Sequence, residues 1–130
     1  MVIDTSAILA LLSLEPEAAR LASAIEADAT RLLSAATLLE VAIVIESRFG
    51  SAGGRELDYL VVRAAIQAEP VTVEHAELAR DAWRRFGKGR HPANLNYGDC
   101  FSYALARASG EPLLYKGNDF AQTDITTVPY

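Results

Sequence analysis

Four carboxylates stand in settings that invite chemistry: Asp4, Glu40, Asp99 and Asp119. Asp4 closes the apolar run Met1-Val2-Ile3, and Thr5-Ser6 right after it already offer hydroxyls to cap a helix, so Asp4 is not needed for that task. Glu40 is the single ionisable side chain in Ala35–Ile45. A helix that apolar reads as buried, and a lone buried carboxylate costs several kcal/mol unless it is paired, hydrogen-bonded or bound to a cation. An internal ion pair or a side chain reaching the edge of the core would answer the same cost. Asp99, in Asn96-Tyr97-Gly98-Asp99, opens a predicted helix, where capping and the helix dipole alone could explain it. Gly98 before it, and Ser102 and Tyr103 one turn along the same face, add to the case for a site. Asp119, in Lys116-Gly117-Asn118-Asp119-Phe120, could equally be a turn residue.

Taken together the four suggest a hard-cation centre. Carboxylate oxygens are what Mg²⁺ and Mn²⁺ prefer, and clustered acids repel one another unless a cation sits among them. Such a cluster can activate water for attack on a phosphodiester. Other chemistries lack parts. Cys100 has no ordered histidine, since His75 and His91 come without a supporting context, and there is no phosphate-binding glycine loop, dinucleotide fingerprint or zinc-protease motif. A phospho-acceptor receiver domain would want paired acids after its first strand, and its mid-chain candidate, Asp58, falls in a predicted helix.

The elements that must position these acids alternate between strand and helix. Met1–Asp4 reads as a short buried strand and Ala7–Leu12 as a helix capped by Thr5-Ser6. Glu17–Ala27 is a second helix led by Pro16, Arg31–Ser34 a second strand, and a third helix runs from a Ser34 or Thr37 cap to about Phe49. Gly50-Ser51-Ala52-Gly53-Gly54 breaks the chain before a helix over Arg55–Gln67. Then come a strand at Val71–Val73, a helix over Glu74–Phe86, a polar loop from Gly87 to Asn96, a helix over Asp99–Ser109, a strand at Leu113–Tyr115 and an edge strand at Thr126–Val128. The pattern predicts one α/β domain over residues 1–130, a sandwich with a mostly parallel sheet of four to five strands flanked by helices. In such sheets ligands bind past the carboxyl ends of the strands, where strand order reverses. Asp4 and Asp119 both follow strands.

Bulk composition bounds the rest. The 130 residues are 51% hydrophobic and 22% charged, the makeup of a folded globule, and a lone cysteine excludes an internal disulfide framework. No export signal or membrane-spanning run is apparent, so a cytoplasmic location is expected. A net charge of −5 speaks against binding nucleic acid through overall charge. The basic residues are, however, concentrated: Arg80, Arg84, Arg85, Lys88 and Arg90 place five of the twelve within eleven positions. That is either a solvated helix face or a phosphate-binding edge extended by His91 and the loop to Asn96. Tyr97 and Tyr103 could stack on an unpaired base or belong to the core.

Met1-Val2-Ile3-Asp4-Thr5-Ser6-Ala7, Glu40 in its apolar helix, Asn96-Tyr97-Gly98-Asp99 and Asn118-Asp119-Phe120 resemble the four acidic motifs of PIN domains, in particular the VapC toxins of bacterial VapBC toxin–antitoxin pairs. The resemblance runs through essentially the whole chain. It implies a PIN-like three-layer sandwich and a Mg²⁺-dependent endoribonuclease toxin, with Mn²⁺ as a possible substitute. Asp4, Glu40, Asp99 and Asp119 would be the metal-binding and catalytic residues, and Thr5 or Ser6 would position a ligand or water near Asp4. Arg84, Arg85, Lys88 and Arg90 would be candidates to touch the RNA. A homodimer and a cognate VapB-like antitoxin are implied as well; the apolar helical surfaces Glu17–Ile25 and Leu57–Ile66 are where such a partner is expected. Gly117 stands where many relatives carry a further acid, which leaves Asp119 alone or assisted by Asp124. A non-catalytic PIN-like module that binds RNA or a partner is the competing expectation.

Overall fold

Four short parallel strands lie at the centre of the computed structural model, which describes residues 1–130. In chain order the elements are β1 (Val2–Ile3), α1 (Thr5–Leu12), α2 (Ala18–Ala27), β2 (Leu32–Ser34), α3 (Ala35–Arg63), β3 (Gln67–Glu69), α4 (Val73–Phe86), α5 (Tyr97–Ser109) and β4 (Leu113–Leu114). The sheet order is β3-β2-β1-β4, every pair parallel. Alternation along β1 explains the layers. Met1 and Ile3 point into a core made with α1, α2 and α3, including Ile8, Leu21, Val41 and Ile45. Val2 points into the opposite core, with Ala82, Phe86, Leu95 and Tyr103 from α4, α5 and the loop between them. The result is the expected α/β sandwich with helices on both faces. Order reverses at β1, which has β2 on one side and β4 on the other. The crevice past the ends of β1 and β4 is therefore where this architecture opens a site.

Several local expectations change. The third strand is Gln67–Glu69, not Val71–Val73. Parallel pairing with β2, from Leu32 with Gln67 to Ser34 with Glu69, defines it, and Pro70 ends it because proline has no amide to donate. Val73 instead starts α4 and is exposed. Ala35–Arg63 holds the two expected helices, which meet at a break on Gly50 alone, whose non-helical φ of 63° only a glycine adopts freely. Helix resumes at once, and Gly53 packs where a Cβ would come within 2.6 Å of Ile45 Cγ2. Thr126–Val128 forms no full strand; a single bridge joins Thr127 to Leu113, so the sheet has four strands. The apolar start of α3 is not enclosed either. Val41 and Ile45 are in the core, yet Leu39 and Ile43 are 62% and 59% exposed. No helix is long and apolar enough to cross a membrane.

Candidate active site

The sequence places Asp4 at the end of β1, and the structure gives it the capping task that Thr5 and Ser6 were expected to perform. Asp4 has extended backbone angles and caps α1, its Oδ2 accepting from the Ser6 amide at 2.9 Å. Only a residue still in extended conformation can turn its side chain back onto the first free amides, and here that residue is Asp4. The hydroxyls that follow hold carboxylates. Ser6 Oγ donates to Asp4 Oδ2 at 2.6 Å, and Thr5 Oγ1 donates to Glu40 Oε2. From α5, Ser102 Oγ donates to Asp4 Oδ1 at 2.6 Å. Asp4 is buried, with three hydrogen bonds supplied from two elements.

Asp99 belongs to a capping box at the start of α5. Asn96 Oδ1 accepts from the Asp99 amide, and Asp99 Oδ2 accepts from the Asn96 amide at 2.8 Å. Asp99 is only 8% exposed. Burial pushes its carboxyl up to about 7, and the nearby Asp4, Asp119 and Glu40 charges push the same way against the backbone bond from Asn96. Asp4, Glu40 and Asp119 therefore each lie within electrostatic reach of Asp99. Glu40 is half-buried beside Gly98, so close that a Cβ there would fall 2.4 Å from its Oε1. Asp119 is exposed on the turn after β4. That turn is fixed by Gly117 at φ 109°, by buried Phe120 against Tyr115, and by the Lys116 amide donating to Ser6 Oγ at 2.9 Å.

No cation of the protein's own neutralises the group. Lys116 pairs with Glu15 and Glu17. Arg85 pairs with Asp124 at 2.7 Å, donates to the Tyr103 hydroxyl, and lies near Asp81. That network also engages Asp124, which accepts from Tyr103 at 2.7 Å. Asp4, Glu40, Asp99 and Asp119 form an oxygen-only donor set around a desolvated acid, which fits a hard divalent ion. The side chains are not drawn into a closed shell as they stand, for no three His, Cys, Asp or Glu form a ready-made metal cage.

Of the basic residues singled out, Arg84 is exposed, Lys88 lines a cleft between α4 and α5, and the Arg90 guanidinium lies 4.0 Å from the Trp83 ring centroid. Arg85 is engaged as above. Tyr103 is core and Tyr97 is 81% exposed. The sequence marks Ser102 and Gly98 only as neighbours of Asp99. Ser102 orients Asp4, and Gly98 makes room for Glu40. A glycine in the first turn of a helix that needs no kink was the signal available for the second.

The PIN domain family model matches residues 1–125. The chain is 60% identical to Ribonuclease VapC30 of Mycobacterium tuberculosis over 98% of both chains, and 57% identical to Ribonuclease VapC of Mycolicibacterium smegmatis over 98% of this chain and 99% of the relative. Among solved structures it resembles Mycobacterium tuberculosis VapC20, described as a sarcin-ricin loop cleaving toxin, with a TM-score of 0.79 at 19% identity, covering 99% of this chain and 98% of that one. A toxin–antitoxin complex from Klebsiella pneumoniae matches with a TM-score of 0.71 at 20% identity, covering 99% and 97%. Those two likenesses bear on the fold.

Proposed function

This chain belongs to the PIN-domain family, among the VapC ribonucleases, and on that footing we propose that it is the toxin of a toxin–antitoxin pair, a Mg²⁺-dependent endoribonuclease acting on cytoplasmic RNA. The observation that carries the metal dependence is the Asp99 carboxyl, desolvated among three other acids with no Lys or Arg turned toward it. Asp4, Glu40, Asp99 and Asp119 would hold the ion. When bound, Mg²⁺, or Mn²⁺ in its place, supplies Lewis-acid activation of water and neutralises phosphoryl charge in an in-line displacement.

The chain's own residues have distinct tasks. Ser6 and Ser102 fix both oxygens of Asp4, so its orientation is set before any ligand arrives. The capping box fixes Asp99 through Oδ2 and leaves Oδ1 to face a ligand. Thr5 holds Glu40 over Gly98, where a carboxylate can orient the attacking water and accept its proton. RNA cleavage by the purified protein is expected to require added Mg²⁺ or Mn²⁺ and to stop in excess EDTA. Undiminished cleavage in EDTA would overturn the reading.

Two apolar surfaces support the partner assignments. Leu39 and Ile43 of α3, with Tyr97 and Phe101 of α5, border a groove of about 290 Å³ that no part of the chain covers, and a second copy is its proposed occupant. Ile43→Glu is expected to turn a dimer into a monomer in analytical ultracentrifugation; an unchanged sedimentation coefficient would remove this face as the dimer contact. Leu21, Ile25, Leu57 and Ile66 prove to be core, while Tyr59 and Val62 remain 59% and 79% exposed along the end of α3, where the VapB-like antitoxin is proposed to dock.

A further inference from the structure

The cleft between α4 and α5 shares Tyr97 and Phe101 with the groove just assigned to a second copy, and differs from it in charge. It holds about 540 Å³, within the range of small-ligand sites, and has an apolar floor that includes Ala79, Leu95 and Cys100. Its rim carries two partly exposed aromatic rings, Trp83 at 42% and Tyr97 at 81%. It also carries two cations, Arg80 and Lys88. Arg80 has only a long, exposed contact of 4.0 Å with Glu77, and Lys88 enters no ion pair. The α3–α5 groove, by contrast, has Glu40 as its sole charged residue. An apolar floor, flat rings and unpaired cations together are the chemistry of a nucleotide, whose base stacks and whose phosphates attract positive charge.

Placement strengthens the reading. Tyr97 and Cys100 line the cleft while Asp99 between them faces the acids, so a ligand seated in the cleft lies within one helical turn of the site. The rim is held in place. Lys88 N donates to the Leu95 carbonyl at 2.8 Å, Leu95 N donates to Phe86 O at 2.9 Å, and Arg90 braces Trp83. In a chain of net charge −5, a local pair of cations is also where an RNA strand could gain a hold.

We propose that the α4–α5 cleft seats one unpaired nucleotide of the RNA beside the cleavage point, its base against Trp83 and its phosphates between Arg80 and Lys88. This rests on the ribonuclease reading for its substrate class. It makes the strand at that point single-stranded, and it shifts the RNA contact from Arg85 to Arg80 and Trp83.

Trp83 is the only tryptophan in the chain, so its fluorescence reports the cleft directly. The wild-type protein in EDTA is titrated with a short single-stranded RNA, with an abasic oligomer of equal charge, and with a blunt-ended, fully paired duplex. The unpaired RNA is expected to quench Trp83 and the other two to leave it unchanged. Arg80→Ala/Lys88→Ala, at two exposed positions, is expected to weaken binding about tenfold and to flatten its salt dependence. Equal quenching by the abasic oligomer, wild-type affinity in the double variant, or quenching by the antitoxin alone would overturn the proposal, the last making the cleft a protein seat. Cleavage with Mg²⁺ is scored separately. Quenching without cleavage would defeat the nuclease reading and leave the cleft standing, whereas cleavage with an unchanged KM in the double variant would defeat only the cleft.

Discussion

Asp99→Asn is expected to abolish RNA cleavage and, in chelator at pH 8, to make the protein more stable. The two effects share a cause. Burial, followed by the charges of Asp4, Asp119 and Glu40, raises the Asp99 carboxyl from 3.8 to about 7. The unfolded chain releases this proton near the ordinary value, so between about 4 and 7 the folded state holds a proton that the unfolded state has lost. Stability from this group therefore falls as pH rises through that window and is lowest above it. A shift of this size corresponds to a few kcal/mol. Asn carries no charge to desolvate, and its Oδ1 can still accept the Asn96 amide, so the capping box survives. The melting temperature of Asp99→Asn in EDTA at pH 8 is expected to exceed that of the wild type by about 5 °C or more. Adding Mg²⁺ is expected to raise the wild-type value and leave the variant unmoved, because only a ligand that prefers the folded state stabilises it. Cleavage is expected to fall about a thousandfold or further, the scale of several kcal/mol of lost charge stabilisation. Wild-type cleavage by Asp99→Asn would remove this residue from the site. A lower melting temperature would show that its cap, not its repulsion, dominates.

This opposition of stability and function runs through the site. Hydroxyls from Ser6, Ser102 and Thr5 make the repulsion among the acids bearable without cancelling it, since a hydroxyl donates a hydrogen bond and brings no positive charge. A lysine or arginine would stabilise the free protein better and would compete with any cation. Lys116 lies two residues past β4 and three before Asp119, yet its ammonium turns to Glu15 and Glu17, which leaves the cluster unneutralised.

The sandwich was readable because strand and helix patterns alternate and because Met1–Ile3 and Leu113–Leu114 are apolar on both faces, the mark of central parallel strands. What stayed hidden depended on contacts distant in sequence. Gln67–Glu69 has no strand-like side chains and is a strand only because the Leu32–Ser34 backbone runs beside it. Asp4, Thr5 and Ser6 can each cap a helix, and backbone geometry, not residue type, decides among them. The apolar stretch around Glu40 reads as core, but hydrophobic content does not distinguish a buried face from an exposed one, and Leu39 and Ile43 are exposed. The basic run after Arg80 looked uniform until Asp124, thirty-nine residues beyond Arg85, claimed one member of it. Cation, pair and stack are tertiary distinctions.

Gly98→Ala is expected to cost at least a hundredfold in cleavage while leaving the fold intact. Gly98 lies in the first turn of α5, where alanine is the better helix former by up to about 1 kcal/mol. Nothing about its backbone demands glycine, since it is not among the residues with positive φ. The demand comes from across the site. A Cβ there would meet Glu40 Oε1 at 2.4 Å, Oε2 at 2.5 Å and Cδ at 2.7 Å. Those atoms are the end of a flexible side chain, so the clash is relieved by moving the carboxylate and the helices need not part. Relief, however, separates Glu40 from the Thr5 hydroxyl and from the place it holds toward Asp99. Displacing a catalytic group by about 1 Å is enough for a hundredfold loss. Near-native melting with cleavage reduced mainly in kcat is the expected signature, since Glu40 is assigned to the chemical step. Wild-type kcat in Gly98→Ala would mean that Glu40 works from elsewhere or not at all, and a collapse in melting temperature would show that α3 and α5 cannot yield the space that a swinging carboxylate needs.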